Sequence, residues 1–482
     1  MWKAQSGIWG DGGVAIIRTW ADIAALGGDS WLTPAETALI EACRRGVECR
    51  LQGGKRPDPD DAGPERRIRA NVLRYLILGG CPDCVVRGRG LQLRGAFIEG
   101  EIDLSFQETS GATVMIDCHF DAPLVARQAK LRSLELRRSL LDRLDLQGAH
   151  ITGDVFLRQA ETRRDVLMAG ARIGGQLDCE GAIFDGAQGA ALMAQRLTVE
   201  EGLVWRDVRV RRGTVSLHSA RIGVLADDLA SWPGRDDLIL DGLIYEQIVG
   251  DMDLAGRLAW AEAGSYVDDR FHPQPFSALS RLYREMGRDG DARRVLRMRE
   301  RHLRQDNRRR RLRGPDGAPL TGMARAGALV GNLWRSACDG VLRATTGYGY
   351  APFRSLIVLA LLWLLTTTLA HLAWEAGDFA PNAAPILVSN DWQTLASGPQ
   401  PAAVWSSTAP GRDWETFNRY AWAADLVIPI IDLNQTDAWA VSTSRGPWGR
   451  WLWRAGFFLN IAGWIVTALG AAAITGIIRR DG

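Results

Sequence analysis

Two cysteines three residues apart, in Cys81-Pro82-Asp83-Cys84, have the spacing of a dithiol that cycles between thiol and disulfide. Joined by Cys43 and Cys49, they offer the four thiolates of a structural zinc site. The expected reading is plainer, that of structural thiols. A thioredoxin-type pair opens a helix after a strand, whereas this pair follows Gly79-Gly80 at a predicted helix end. The seven cysteines, at 43, 49, 81, 84, 118, 179 and 338, are odd in number and lack a disulfide-framework spacing, so reduced thiols in a cytoplasmic setting are expected. No catalytic residue or metal ligand is assigned beyond these candidates, and no cofactor is expected.

Other chemistry-bearing patterns are thin. Thr345-Thr346-Gly347-Tyr348-Gly349 has the look of a potassium-channel filter, but a filter follows a pore helix between two membrane helices, and this stretch precedes the first. A Gly-Tyr turn is expected instead. The chain has no G-x-G-x-x-G after a strand, no G-x-x-x-x-G-K-S/T and no H-E-x-x-H, and its six His are scattered. Asp103, Asp145 and Asp178 fall at solvent-facing or corner positions of the repeat described below; glycoside cleavage would need such carboxylates paired on adjacent coils. Eleven Arg lie between Arg293 and Arg313 against Asp291, Glu300 and Asp306. Of these, Arg308, Arg309, Arg310, Arg311 and Arg313 are read as facing anionic lipid headgroups, because the tract lacks the interleaved aromatics of a nucleic-acid site.

Positioning these residues falls to 482 residues, more than one hydrophobic core organises, so two or three domains are expected. An apolar share of 46% and a charged share of 24% exclude wholesale disorder, and a net charge of +2 makes no case for an acidic partner. The mean hydropathy of -0.10 averages unlike parts, since the final 130 residues hold two long apolar runs and 11 of the 19 Trp. The first 17 residues show no signal-peptide pattern. Residues 1–87 read as a helical cap. There Thr33-Pro34-Ala35-Glu36 joins an N-cap, a proline at the first helical position and a returning carboxylate, predicting a helix to about Arg50. Ile68, Val72, Leu73, Leu76 and Ile77 predict a second helix over 65–78.

Residues 88–250 carry an internal repeat. Leu131, Leu136, Leu141, Leu146, Ile151 and Phe156 recur every five residues, a period that fits neither a helix at 3.6 nor a strand at two. It fits a chain that turns a corner every five residues and points one apolar side chain inward per face. A longer period appears in GAFIEGEIDL (95–104), GAHITGDVFL (148–157) and GARIGGQLDC (170–179), giving a coil of about 22 residues. The fold class is therefore mainly β: a right-handed parallel β-helix of about seven coils stacked about 4.8 Å apart. Its open ends require covers, at the N-terminal side and near residue 250.

Residues 251–350 return to helical spacing as a hairpin with the Arg-rich arm and a juxtamembrane segment, and 351–482 form a membrane domain. Ser355–Ala373 and Ala455–Ile478 are each long and apolar enough to span hydrocarbon, flanked by Trp374, Trp448, Trp451 and Trp453. Fifteen Arg from Arg293 to Arg354, against five over 375–454, place both termini in the cytoplasm by the positive-inside bias. The acidic loop between the spans then faces out, and its apolar stretch 425–433 reads as re-entrant or interfacial.

GARIGGQLDCEGAIF, IRANVLRYLILGG, PFSALSRLYREMGRDGDARRVL and GYGYAPFRSL together resemble a bacterial family of pentapeptide-repeat-like membrane proteins commonly labelled membrane-associated oxidoreductases. The resemblance covers most of residues 65–480 and implies a β-helix with a two-helix inner-membrane anchor. It carries no catalytic motif that maps onto this chain. DNA mimicry of the gyrase-inhibitor kind needs a strongly acidic rod, and 24 acidic against 18 basic residues over 91–250 do not make one. The expected function is that of a membrane-anchored scaffold, with lipid at the two helices and a protein partner on the solenoid. An oligomeric two-helix pore sensed by the solenoid, and a redox enzyme using Cys81 and Cys84, are the alternatives.

Overall fold

The computed structural model describes residues 31–475 apart from 59, 61, 82–83, 85–89, 110, 314–317 and 349. Pro82 and Asp83 of the dithiol motif, Gly349 of the turn and the stretch 476–482 lie outside the described residues, as does the chain before residue 31. Two compact units emerge, Met1–Asp306 and Asn307–Gly482.

The first unit is a parallel β-solenoid of about seven turns with helices at its ends. Each turn has four short faces, and every face pairs in parallel with the same face one turn on: Leu134 with Val155 and then Leu177, Leu144 with Val166 and then Leu192, His150 with Arg172. Two 12-stranded sheets result, because the later strands, such as Thr198–Trp205, bend round a corner and belong to two faces at once. Leu131, Leu136, Leu141 and Leu146 all line one interior, none more than 2% exposed. The five-step spacing carries through Leu134, Ser139, Leu144 and Ala149, all fully buried, and then slips. Val155 and Leu157 point inward, and Phe156 is half-buried under the Arg137 guanidinium, not inside as the period predicts. The extra residue is Gly153, at a corner where a Cβ would come within 2.8 Å of the Arg132 carbonyl oxygen. Gly174 repeats this against Thr152 in the next turn, and one inserted residue per turn helps bring four five-residue faces to the 22-residue coil.

Corners recur in register. Gln128, Gly148 and Gly170 all take the left-handed conformation, as do Asp117, Arg138, Gln159 and Gly181 at another corner. The conformation turns each of these amides toward the next coil, as in Gln128 N–H to the Gln147 carbonyl and Gly148 N–H to the Ala169 carbonyl.

At the N-terminal end, α1 (Pro34–Arg45) has the expected capping box, with Glu36 buried and bonded to both Thr33 N–H and Arg69. It ends at Gly46, earlier than Arg50, because Cys49–Arg50 is a strand paired with Leu91–Arg94. The second helix, α2 (Ala70–Ile77), is likewise shorter than predicted: Arg67–Arg69 is a strand paired with Phe97–Glu99. Helical periodicity could not reveal either strand, since both are held by pairing with residues 30 or more positions distant. At the other end α3 (Leu254–Ala263) covers the last coil, as open edges require. Trp205, Trp232 and Trp260 follow one another at 5.2 and 6.0 Å, and Arg257 forms a buried pair with Asp227 at 2.5 Å. Then come α4 (Gln274–Glu285) and α5 (Asp289–Arg310), the expected hairpin.

The second unit contains α6 (Gly322–Thr345), α7 (Phe353–Glu375), α8 (Arg419–Val427) and α9 (Pro447–Ile474), with short helices between α7 and α8. Both α7 and α9 are long and apolar enough to cross a membrane, with mean hydropathies of 2.1 and 1.9.

Candidate functional site

The thiols come first, being the residues that type and spacing single out. Cys81 and Cys84 are joined as a disulfide, with Cα atoms 5.3 Å apart, and both are buried just beyond α2. This corrects the expectation that all seven cysteines are reduced. Cys43 and Cys49 are free and buried; burial pushes their thiols up to about 11 and about 12. Buried protonated thiols are poor nucleophiles and poor metal ligands. With two of the four sulfurs bonded to each other, the set is not four thiolates in this structure, and no group of three or more His, Cys, Asp or Glu suited to a metal occurs among the described residues.

Many of the solenoid's carboxylates are engaged in holding the fold. Asp145 and Asp178 sit at corners, as expected, but are buried and not solvated. The Asp145 carboxylate takes hydrogen bonds from Arg127 Nε at 2.8 Å and from Gln147 N–H, and Asp178 takes one from Glu180 N–H. Asp103 is exposed and accepts from Ser105 N–H. Between coils, Arg138 pairs with Asp117, Arg164 with Asp142, Arg143 with Asp165 and Arg158 with Glu180, each across 21 or 22 residues. Such half-exposed pairs contribute about 0–1 kcal/mol each and mainly set register. A hollow of 810 Å³ at the α3 end is lined by Asp207, Asp227, Asp228, Asp251 and Asp253 with Arg206. Its carboxylates also do structural work: Asp227 holds Arg257 and Trp232, Asp228 holds Ser231 and Asp207 N–H, and Asp253 caps α3. These bonds tie neighbouring coils and the α3 cap together and leave the hollow with an excess of carboxylates.

In the second unit the end of the Arg-rich arm is clasped to α6. Arg308 donates to Ser336 Oγ at 2.9 Å and pairs with Asp339 at 3.4 Å, while Asn332 donates to the Arg308 carbonyl. Arg309, Arg310, Arg311 and Arg313 are exposed. Sequence reasoning left 322–345 as an undivided juxtamembrane segment and missed α6. The signal was present in Met323, Ala326, Val330, Leu333, Ala337 and Val341, which recur at steps of three and four.

The loop segment that was expected to re-enter or lie at an interface is built from α8 and its following turn. Trp363, near the middle of α7, donates its indole N–H to the Tyr420 carbonyl at 3.0 Å. Asn460, near the middle of α9, donates to the Leu426 carbonyl, and Gly463 gives the Val427 carbonyl an approach that any Cβ would block, at 1.9 Å. Beyond α8, Ile428 and Ile430 share a 490 Å³ hollow with Ser355, Trp363 and Gly470. The Asp425 carboxylate folds this turn back by accepting from the N–H groups of Leu433, Gln435 and Thr436. Above it an aromatic cluster, with Trp374 stacked on Phe417 at 4.1 Å and edge-on to Trp439, packs the loop. The turn at Thr345–Tyr348 is a helix end: both Thr hydroxyls bond back to carbonyls of α6, and Gly347 and Tyr348 are left-handed.

No family model matches the chain. Neither curated proteins nor solved structures yield a match, so the oxidoreductase resemblance finds no support in these comparisons.

Proposed function

We propose that the chain is a membrane-anchored β-solenoid scaffold of the bacterial inner membrane, of pentapeptide-repeat type. In this reading α7 and α9 cross the bilayer, both termini are cytoplasmic, the acidic loop is external, and Arg309–Arg311 and Arg313 meet anionic headgroups, whereas Arg308, expected to join them, is held by Ser336 and Asp339. A protein partner docks on the solenoid, and neither nucleic acid nor a cofactor takes part. The observation that carries this is the engagement of solenoid charges in inter-coil pairs and corner caps, which supports a rigid presenting surface. Such a surface binds through shape and patches of side chains rather than through a pocket.

The test is purification of the full chain in native-lipid particles, with cross-linking and mass spectrometry. A stoichiometric second protein cross-linked along one solenoid face is expected. Turnover of an electron acceptor that is lost in Cys81→Ser would overturn the scaffold in favour of redox chemistry.

One observation favours a second reading, an oligomeric pore: the α8 turn packs at mid-length between α7 and α9. Conductance in planar bilayers together with a homo-oligomer in the particles would promote it, because two helices and one inserted turn cannot enclose a channel alone.

A further inference from the structure

Resting on the reading that α7 crosses the bilayer, we infer that α6 is an in-plane membrane helix, its apolar stripe sunk among acyl chains and its opposite face carrying the arginine arm into the anionic headgroup layer. Around α6, Met323, Ala326, Val330, Leu333, Ala337 and Val341 form one continuous stripe, with Trp334 beside it. None of the described residues covers it: Met323 is 92% exposed, Leu333 73% and Trp334 71%. A stripe of this extent left bare in water is a marker of an interaction surface.

The remaining side of the helix says what that surface meets. Arg325, Arg335 and Arg343 all project away from the stripe, and Asn332, Ser336 and Asp339 on that side receive Arg308. The polar face therefore gathers cationic groups from two helices, complementary to anionic headgroups. Continuity makes the same choice. Seven residues, 346–352, separate α6 from α7, and Arg354 at the head of α7 donates to the Arg343 carbonyl, so the end of α6 is fastened where the span begins. A third span is excluded for α6 by its regularly spaced Arg, and only α7 and α9 among the described residues meet the requirements for crossing.

The experiment places nitroxide labels on the full chain in phosphatidylglycerol-containing vesicles and measures collision with oxygen, which concentrates in hydrocarbon, and with a water-soluble nickel chelate. Cys338→Ser removes the exposed native thiol, and Val330→Cys, Leu333→Cys and Ala337→Cys report on the stripe while Arg335→Cys and Arg343→Cys report on the polar face. The expected result is an oxygen-to-nickel accessibility ratio several-fold higher on the stripe, oscillating with the helical period. Stripe labels open to nickel would overturn the inference, and labels shielded from both colliders would overturn it in favour of a protein cover, such as a second copy. Leu361→Cys on the exposed side of α7 separates the two readings. If it too collides with nickel, the membrane span itself fails; if it collides with oxygen while α6 does not, only this inference fails.

Discussion

The two units answer the same demand, removal of apolar side chains from water, in opposite directions. In the solenoid, Leu131, Leu141 and Leu144 are turned inward and the outer surface is laced with Arg–carboxylate pairs between coils. In the second unit Leu333, Leu361, Phe458 and Trp464 are turned outward, and the polar groups that matter, such as Asp425 and Asn460, are aimed at backbone groups within it. The contrast shows that composition alone does not define a core. The solenoid encloses its apolar groups against each other, whereas on α6, α7 and α9 many apolar side chains are left uncovered by the described residues.

The largest effect that would sharpen this contrast is thiol reactivity. Burial raises Cys43 to about 11 and both Cys49 and Cys118 to about 12, so below those values they stay protonated and enclosed. At pH 8 a maleimide should label Cys338 on α6 quickly and these three slower by orders of magnitude, as mass spectrometry of the native protein would report. Raising the pH toward 10 should accelerate them little, because access requires opening of the solenoid.

Next in size is the cap. Arg257→Ala strands the fully buried Asp227 and should cost about 3–5 kcal/mol, while Arg257→Met with Asp227→Leu should restore much of it, both read by chemical denaturation. Equal losses in the two variants would show that the stranded Asp227 charge is not what the cap loses. Inside the rod, Leu141→Ala should cost about 2–5 kcal/mol by leaving a void between coils. In the loop, Asp425→Asn keeps the shape but weakens three charge-assisted acceptances, a loss of about 1.5–3 kcal/mol seen as a lower Tm in detergent and faster proteolysis near residue 430. Smallest is Leu361→Ala, the same chemical change as in the rod but on the outward side of α7, expected to shift stability by less than about 0.5 kcal/mol in lipid. A loss comparable to that of Leu141→Ala would mean that α7 packs against protein there, and the contrast between the units would break.

Much of this was legible along the chain. Five-step recurrence of aliphatics is local information, since each face of a coil must contribute an inward side chain whatever its neighbours are, and so Leu131 to Leu146 announce the solenoid. The capping box of Thr33 and Glu36 and the two long apolar runs are local in the same sense. The strands Cys49–Arg50 and Arg67–Arg69 were not, because a two- or three-residue strand exists only through the partner it pairs with. The candidate site was less legible than the fold: the α6 stripe was readable but unread, and the seat of α8 depends on Gly463 and Asn460, more than 30 residues away.

By itself, then, the amino-acid order determined that inward aliphatics recur on four faces and that two segments are long and apolar enough to cross a membrane, because both follow from side-chain type at fixed spacing. Only the tertiary structure decided that Cys81 and Cys84 meet each other, that Arg257 finds Asp227, and that the Arg308 arm lies on the polar side of α6. Arg257 and Arg308 meet partners remote in sequence, which the closing of coils and the packing of helices establish, and the Cys81–Cys84 pair, three residues apart, needs its two Cα atoms brought to 5.3 Å.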